Sequence, residues 1–132
     1  MDATVKHTPV VAAGLPAPRG PYSPGVQFER LLFVSGQGAI DPKSGKLVGS
    51  DIQLQTEQVL RNIASILEAA GSGLNYVLRC GVFLADINDF PKMNAVYERM
   101  FGANRPARTT VEASNLPLPG LKVEIDAIAY VP

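Results

Sequence analysis

Two stretches of this chain are apolar on both faces of the strand they would form, and only two helices are available to cover them. Leu31-Leu32-Phe33-Val34 is continuously apolar, and Tyr76 to Leu84 is apolar apart from Arg79. Side chains alternate across a strand, so an unbroken apolar run turns apolar groups to both sides of a sheet. The first helical pattern runs from Ser50 to Ala70. Ser50 and Gln53 make a capping-box pair. Ile52, Val59, Leu60, Ile63, Ile66, Leu67 and Ala70 fall on one stripe, and Gly71 stands where a C-terminal glycine belongs. The second runs from about Asp89 to Phe101, capped by Asn88 or Asp89, with Pro91 in its first turn. Its apolar side is Phe90, Met93, Val96, Tyr97, Met100 and Phe101, and Gly102 ends it. The element order, β…βαβαββ, predicts an α+β fold: a mixed sheet with both helices on one face. The helices bury only that face. In a chain of 132 residues the simplest cover for the other is a second copy of the chain.

Composition narrows the function. A length of 132 residues predicts one domain over 1–132. Residues 1–19 read as a tail or an edge segment, in which Thr4 to Val10 could pair as a short strand. Lys plus Arg equals Asp plus Glu at 12 each, so the net charge is zero. That predicts no sequence-independent grip on nucleic acid and no attraction to an anionic membrane. Cys80 is the one cysteine, which rules out an intrachain disulfide and fits a reducing cytosol. Its expected role is a small buried apolar group. His7 is the one histidine, far from Cys80, so no metal site is expected. No apolar run approaches the ~20 residues that span a bilayer. Val10 to Leu15 makes a poor signal peptide, and a cytoplasmic location is the expectation.

The chemistry concentrates in Arg105 to Tyr130, which reads as two charged strands joined by Asn115-Leu116-Pro117-Leu118-Pro119-Gly120. That turn predicts antiparallel neighbours, with Glu112 near Glu124 and Thr110 near Asp126. Arg108, Thr110 and Glu112 share one face of their strand, and Glu124, Asp126, Ile128 and Tyr130 share one face of theirs. Arg108 is either a receptor for a small carboxylate or half of an intersubunit salt bridge, since its planar fork suits both. If it binds a carboxylate, Glu124 or Asp126 can move the protons of a water, and Thr110 can hold that water. Asn94 breaks the apolar stripe of the second helix, so it either makes a structural hydrogen bond or lines a pocket. Tyr22 is an aromatic donor in the rigid loop Gly20-Pro21-Tyr22-Ser23-Pro24-Gly25, or a packing residue. Gly36 and Gly38, just after the first apolar strand, permit close approach of a ligand or another chain. No Ser-His-Asp or Cys-His set is present.

The chain resembles the RidA/YjgF family of reactive-intermediate (2-iminobutanoate/2-iminopropanoate) deaminases. The resemblance covers about Pro18 to Val131 and rests on Gly20-Pro21-Tyr22-Ser23, Val34-Ser35-Gly36-Gln37, Asn94-Ala95-Val96-Tyr97, Arg105-Pro106-Ala107-Arg108 and Val123-Glu124-Ile125-Asp126. It implies a chorismate-mutase-like fold, a homotrimer whose sheets form a central barrel, and a cleft between each pair of subunits. By resemblance Arg108 grips the substrate carboxylate, and Tyr22, Ser35, Gly36, Asn94 and Glu124 line the cleft. Glu124 would activate or orient the water. The implied substrates are 2-aminoacrylate/2-iminopropanoate and 2-iminobutanoate, hydrolysed to 2-keto acids and ammonia without cofactor or metal. Many close relatives carry cysteine where this chain has Thr110, so thiol chemistry there does not transfer. The alternative is a trimeric protein that binds small keto or amino acids without turnover. A weaker alternative is a ribonuclease or translation inhibitor.

Overall fold

The computed structural model describes residues 4–132. Its strands, in chain order, are β1 Thr8–Pro9, β2 Gly25–Phe28, β3 Leu31–Gln37, β4 Val77–Leu84, β5 Ala107–Glu112 and β6 Val123–Tyr130; its α-helices are α1 Ile52–Ala69 and α2 Phe90–Phe101. The strands form one mixed sheet in the order β1-β2-β3-β6-β4-β5. Only β4 and β5 run parallel, joined by α2 as a βαβ crossover. β6 lies between β3 and β4, and its sequence VEIDAIAY alternates buried and half-buried side chains along its whole length.

One face of the sheet carries the core. Leu32 and Val34 of β3, Val82 and Leu84 of β4, and Val123 and Ile125 of β6 pack against Leu60, Ile63, Ile66 and Leu67 of α1 and Met93 of α2, all buried. Burying each such side chain is worth roughly 1.5–3 kcal/mol. Both helices lie on this face, as expected. The other face stays open: Leu31, Phe33 and Val111 remain 40%, 41% and 42% exposed. The two apolar runs are therefore buried on one side only within a single chain.

The structure corrects the expected hairpin. β5 and β6 are not neighbours, because β4 lies between them: Gly81 pairs with Thr109 on one side and with Asp126 on the other. The crossover through α2 brings β5 to the far edge of β4, and the proline-bearing segment carries the chain back past β4. Two caps also differ. Asp51, not Ser50, caps α1, its carboxylate accepting from the Leu54 amide at 3.0 Å. Asp89 precedes α2 but makes no side-chain cap; Asp86 instead caps the short 3₁₀ turn Ile87–Asp89, accepting from the Asn88 amide.

Two buried polar groups of α1 face the loops, and a third bonds within the helix. Gln55 donates to the Gly49 and Gly120 carbonyls and accepts from the Lys122 amide. Asn62 donates to the Ile40 carbonyl at 2.9 Å and, more weakly, to that of Gly38. Thr56 bonds back to the Ile52 carbonyl. Gln55 and Asn62 thus tie the segment after β3 and the segment before β6 to one helix.

Candidate active site

Residues paired directly across a sheet share a face. Cys80 pairs with Arg108, and neighbouring Gly81 pairs with Asp126. Arg108 and Thr110 therefore leave the sheet on the helix side, with Cys80, whereas Glu124 and Asp126 leave it on the open side. The two charges that sequence reading combined into one site stand on opposite faces of one chain, and each has its own cavity.

The Glu124 cavity measures about 750 Å³ and is lined by Tyr22, Ser35, Gly36 and Glu124, together with proline-rich backbone from residues 16–18 and 117–118. Its geometry follows from β3. The ladder between β3 and β6 slips between Val34 and Gln37, the irregularity of a bulge, and this re-aims Ser35 and Gly36. Ser35 donates from its hydroxyl to the Ser23 carbonyl at 2.7 Å and from its amide to the Pro24 carbonyl, fixing the loop that carries Tyr22. The Tyr22 hydroxyl accepts from the Arg19 amide at 3.1 Å, and its ring stays 49% exposed. Gly36 leaves room for the carboxylate: a Cβ there would stand 2.8 Å from Glu124 Oε2 and push it aside. Burial first, and the neighbouring Asp126 carboxylate second, hold the Glu124 carboxyl above the usual glutamate range.

The Arg108 cavity measures about 320 Å³ and is lined by Asn94, Tyr97, Glu98, Arg105, Pro106 and Arg108. The Arg108 guanidinium lies 4.7 Å from the Tyr97 ring centroid and 5.5 Å from that of Phe90. The ion pairs among the described residues are Arg61–Glu57 and Arg105–Glu98. Arg105 also donates to the Gly102 carbonyl. Arg105 is thus taken up by the end of α2, whereas Arg108 has neither carboxylate nor hydrogen bond among the described residues. Asn94 Oδ1 is buried with no partner among the described residues, and the buried Tyr97 hydroxyl has the Cys80 thiol as its one polar neighbour there. Asn94 therefore lines the cavity instead of making the structural bond it was weighed against.

Thr110 lines neither cavity. It sits on the Arg108 face beside Val82, away from Asp126. Glu112 and Asp126 hold backbone, accepting from the Ile87 and Gly81 amides at 2.9 and 2.8 Å. Cys80 is fully buried and its thiol is pushed up to about 11, chiefly by burial, so it is protonated near neutrality and inert. Sequence reading missed Tyr97, which it placed in the apolar stripe. Its spacing one turn after Asn94 and opposite the Arg108 strand was the available signal.

Residues 13–131 match the Endoribonuclease L-PSP family, and the chain belongs to it, the family also called RidA/YjgF. A RutC family protein of Pyrococcus horikoshii is 54% identical over 115 residues, covering 87% of this chain and 90% of that one. A Mus musculus protein named 2-iminobutanoate/2-iminopropanoate deaminase is 44% identical over 114 residues, covering 86% and 84%. The crystal structure of E. coli TdcF with bound serine matches with a TM-score of 0.88 at 34% identity, covering 93% of this chain and 98% of that one.

Proposed function

We propose that this protein hydrolyses 2-aminoacrylate/2-iminopropanoate and 2-iminobutanoate to the corresponding 2-keto acids and ammonia, in a cleft completed between subunits of a homotrimer. The observation that carries the reading is Arg108: a guanidinium in a cavity, with no anionic partner among the described residues of its own chain. Relatives named as deaminases support the reaction class, and the serine bound to TdcF supports an α-amino or α-imino acid as the kind of ligand.

In this reading Arg108 takes the substrate carboxylate as a bidentate pair. Water adds to the C2 carbon of the imine, and its proton passes through Glu124 to the nitrogen. The carbinolamine hydroxyl then gives up its proton, again through Glu124, to the nitrogen; the C2–N bond breaks, ammonia leaves, and a C2 carbonyl remains. An enamine substrate first takes a proton at C3 to become the imine. Glu124 suits the shuttle because its raised pKa brings both protonation states closer to neutrality. Because Glu124 and Arg108 face opposite ways, the cleft needs Arg108 from one subunit and Glu124 from its neighbour. The open sheet face, with Leu31 and Phe33 exposed, is the surface such packing would cover. The protein works without a bound cofactor in this account, in a reducing compartment such as the cytosol. Among the described residues no helix is long and apolar enough to cross a membrane.

The test generates 2-iminobutanoate in situ with a pyridoxal-phosphate enzyme acting on threonine and follows keto-acid release. Acceleration over buffer that disappears in Arg108→Ala supports the reading; wild type that gives no acceleration refutes it. The family description favours one second reading, RNA cleavage. Cleavage that persists in Arg108→Ala after repeated purification would establish it.

A further inference from the structure

Arg108 is a long side chain with no ion-pair or hydrogen-bond partner among the described residues. What holds it is aromatic. Its guanidinium lies over the Tyr97 ring at 4.7 Å and near the Phe90 ring at 5.5 Å. A guanidinium stacked on a ring face keeps its N–H edge free, whereas one held by a carboxylate has spent that edge. Tyr97 is itself fixed: it is 8% exposed on α2, and its ring stacks on Phe101 with centroids 4.5 Å apart. A second, independent observation marks the cavity as built for a polar guest. Asn94 Oδ1 is buried in it with no partner among the described residues, while the Tyr97 hydroxyl turns to the Cys80 thiol and away from the guest. An orphaned polar atom beside an unpaired cation costs stability unless a ligand or an ordered water satisfies it.

We infer that Tyr97 is the positioning residue of the Arg108 half-site, its ring holding the guanidinium with the N–H edge turned to a ligand carboxylate. This rests on the deaminase reading for its kinetic consequence but not for its geometry. The inference assigns Tyr97 a role through Arg108, not a contact with the reacting atoms. Losing the ring weakens substrate and transition state alike, so KM rises while kcat holds.

The experiment compares Tyr97→Leu with Tyr97→Phe, each shown to be folded by circular dichroism; Tyr97→Met, a flexible filler, replaces the leucine variant if that one does not fold. The first readout is the Arg108 Nε–H resonance, assigned by its absence in Arg108→Lys. It is expected to be ring-current shielded in wild type and Tyr97→Phe, and unshielded in Tyr97→Leu. The second is steady-state kinetics: KM is expected to rise roughly tenfold in Tyr97→Leu with kcat within about twofold, and Tyr97→Phe to stay near wild type. An unshifted Arg108 signal and unchanged KM in Tyr97→Leu would overturn the inference. So would a phenylalanine variant as impaired as the leucine variant. A shielded signal in a wild type without turnover refutes the deaminase reading and leaves the positioning role standing.

Discussion

At the residue scale, the proposed reaction asks different things of Arg108, Glu124 and Gly36. Arg108→Ala removes a charge-assisted pair worth about 1.5–3 kcal/mol, so kcat/KM for 2-iminobutanoate should fall tenfold or more. Gly36→Ala places a methyl 2.8 Å from Glu124 Oε2, so the carboxylate must move aside. The variant should fold yet lose activity, by displacing the carboxylate while leaving keto-acid binding to Arg108 in calorimetry. Glu124 also has a signature in stability. Its folded pKa lies above its unfolded one, so the folded chain keeps a proton that the unfolded chain releases. Between the ordinary glutamate range and the raised one, stability should rise as pH falls and drop as pH rises. Glu124→Gln should flatten that dependence in a series of thermal melts. These three residues were visible in the sequence as types and spacings. Tyr97 was not, since an aromatic at helical spacing satisfies the core pattern whatever its hydroxyl and ring face touch.

At the element scale, β3 and α1 do most of the positioning. The irregular end of β3 turns Ser35 and Gly36 towards Glu124, and the buried amides of α1 hold the flanking loops. Asn62→Ala would strand the Ile40 carbonyl and open a small void, and Gln55→Ala would strand two carbonyls and the Lys122 amide. Each should cost about 1–3 kcal/mol in urea unfolding, the penalty for buried polar groups left unpaired. Both helices could be read from their stripes, because burial on one side imposes the 3.6-residue period. The hairpin could not. A turn sequence reports that the chain reverses, not which strand it returns beside, and β4 had entered the gap through a parallel crossover. Nor could the caps be separated, since Ser50 and Asp51 are both good capping types and one residue of phase decides between them.

At the scale of the whole molecule, the sheet has one covered face and one open face. The alternation of β6 shows this directly: Val123, Ile125, Ala127 and Ala129 are buried, while Glu124, Asp126, Ile128 and Tyr130 are only half so. That the sheet leaves apolar groups on an open face was readable from Leu31-Leu32-Phe33-Val34. That Arg108 and Glu124 lie across the sheet from each other was not, because it depends on the order of strands. If the open face is the subunit interface, Phe33→Glu should lower the sedimenting mass towards that of one 14.1 kDa chain and abolish turnover with it.

A cleft shared between subunits is central to the proposed function, and subunit mixing tests it most directly. Arg108→Ala and Glu124→Gln are each expected to be inactive alone. Unfolded together in equal amounts and refolded, they should form mixed assemblies in which some clefts draw an intact Arg108 from one chain and an intact Glu124 from another. Random association then restores about a quarter of the wild-type activity per cleft. A refolded mixture no more active than either variant alone would contradict a site shared between subunits.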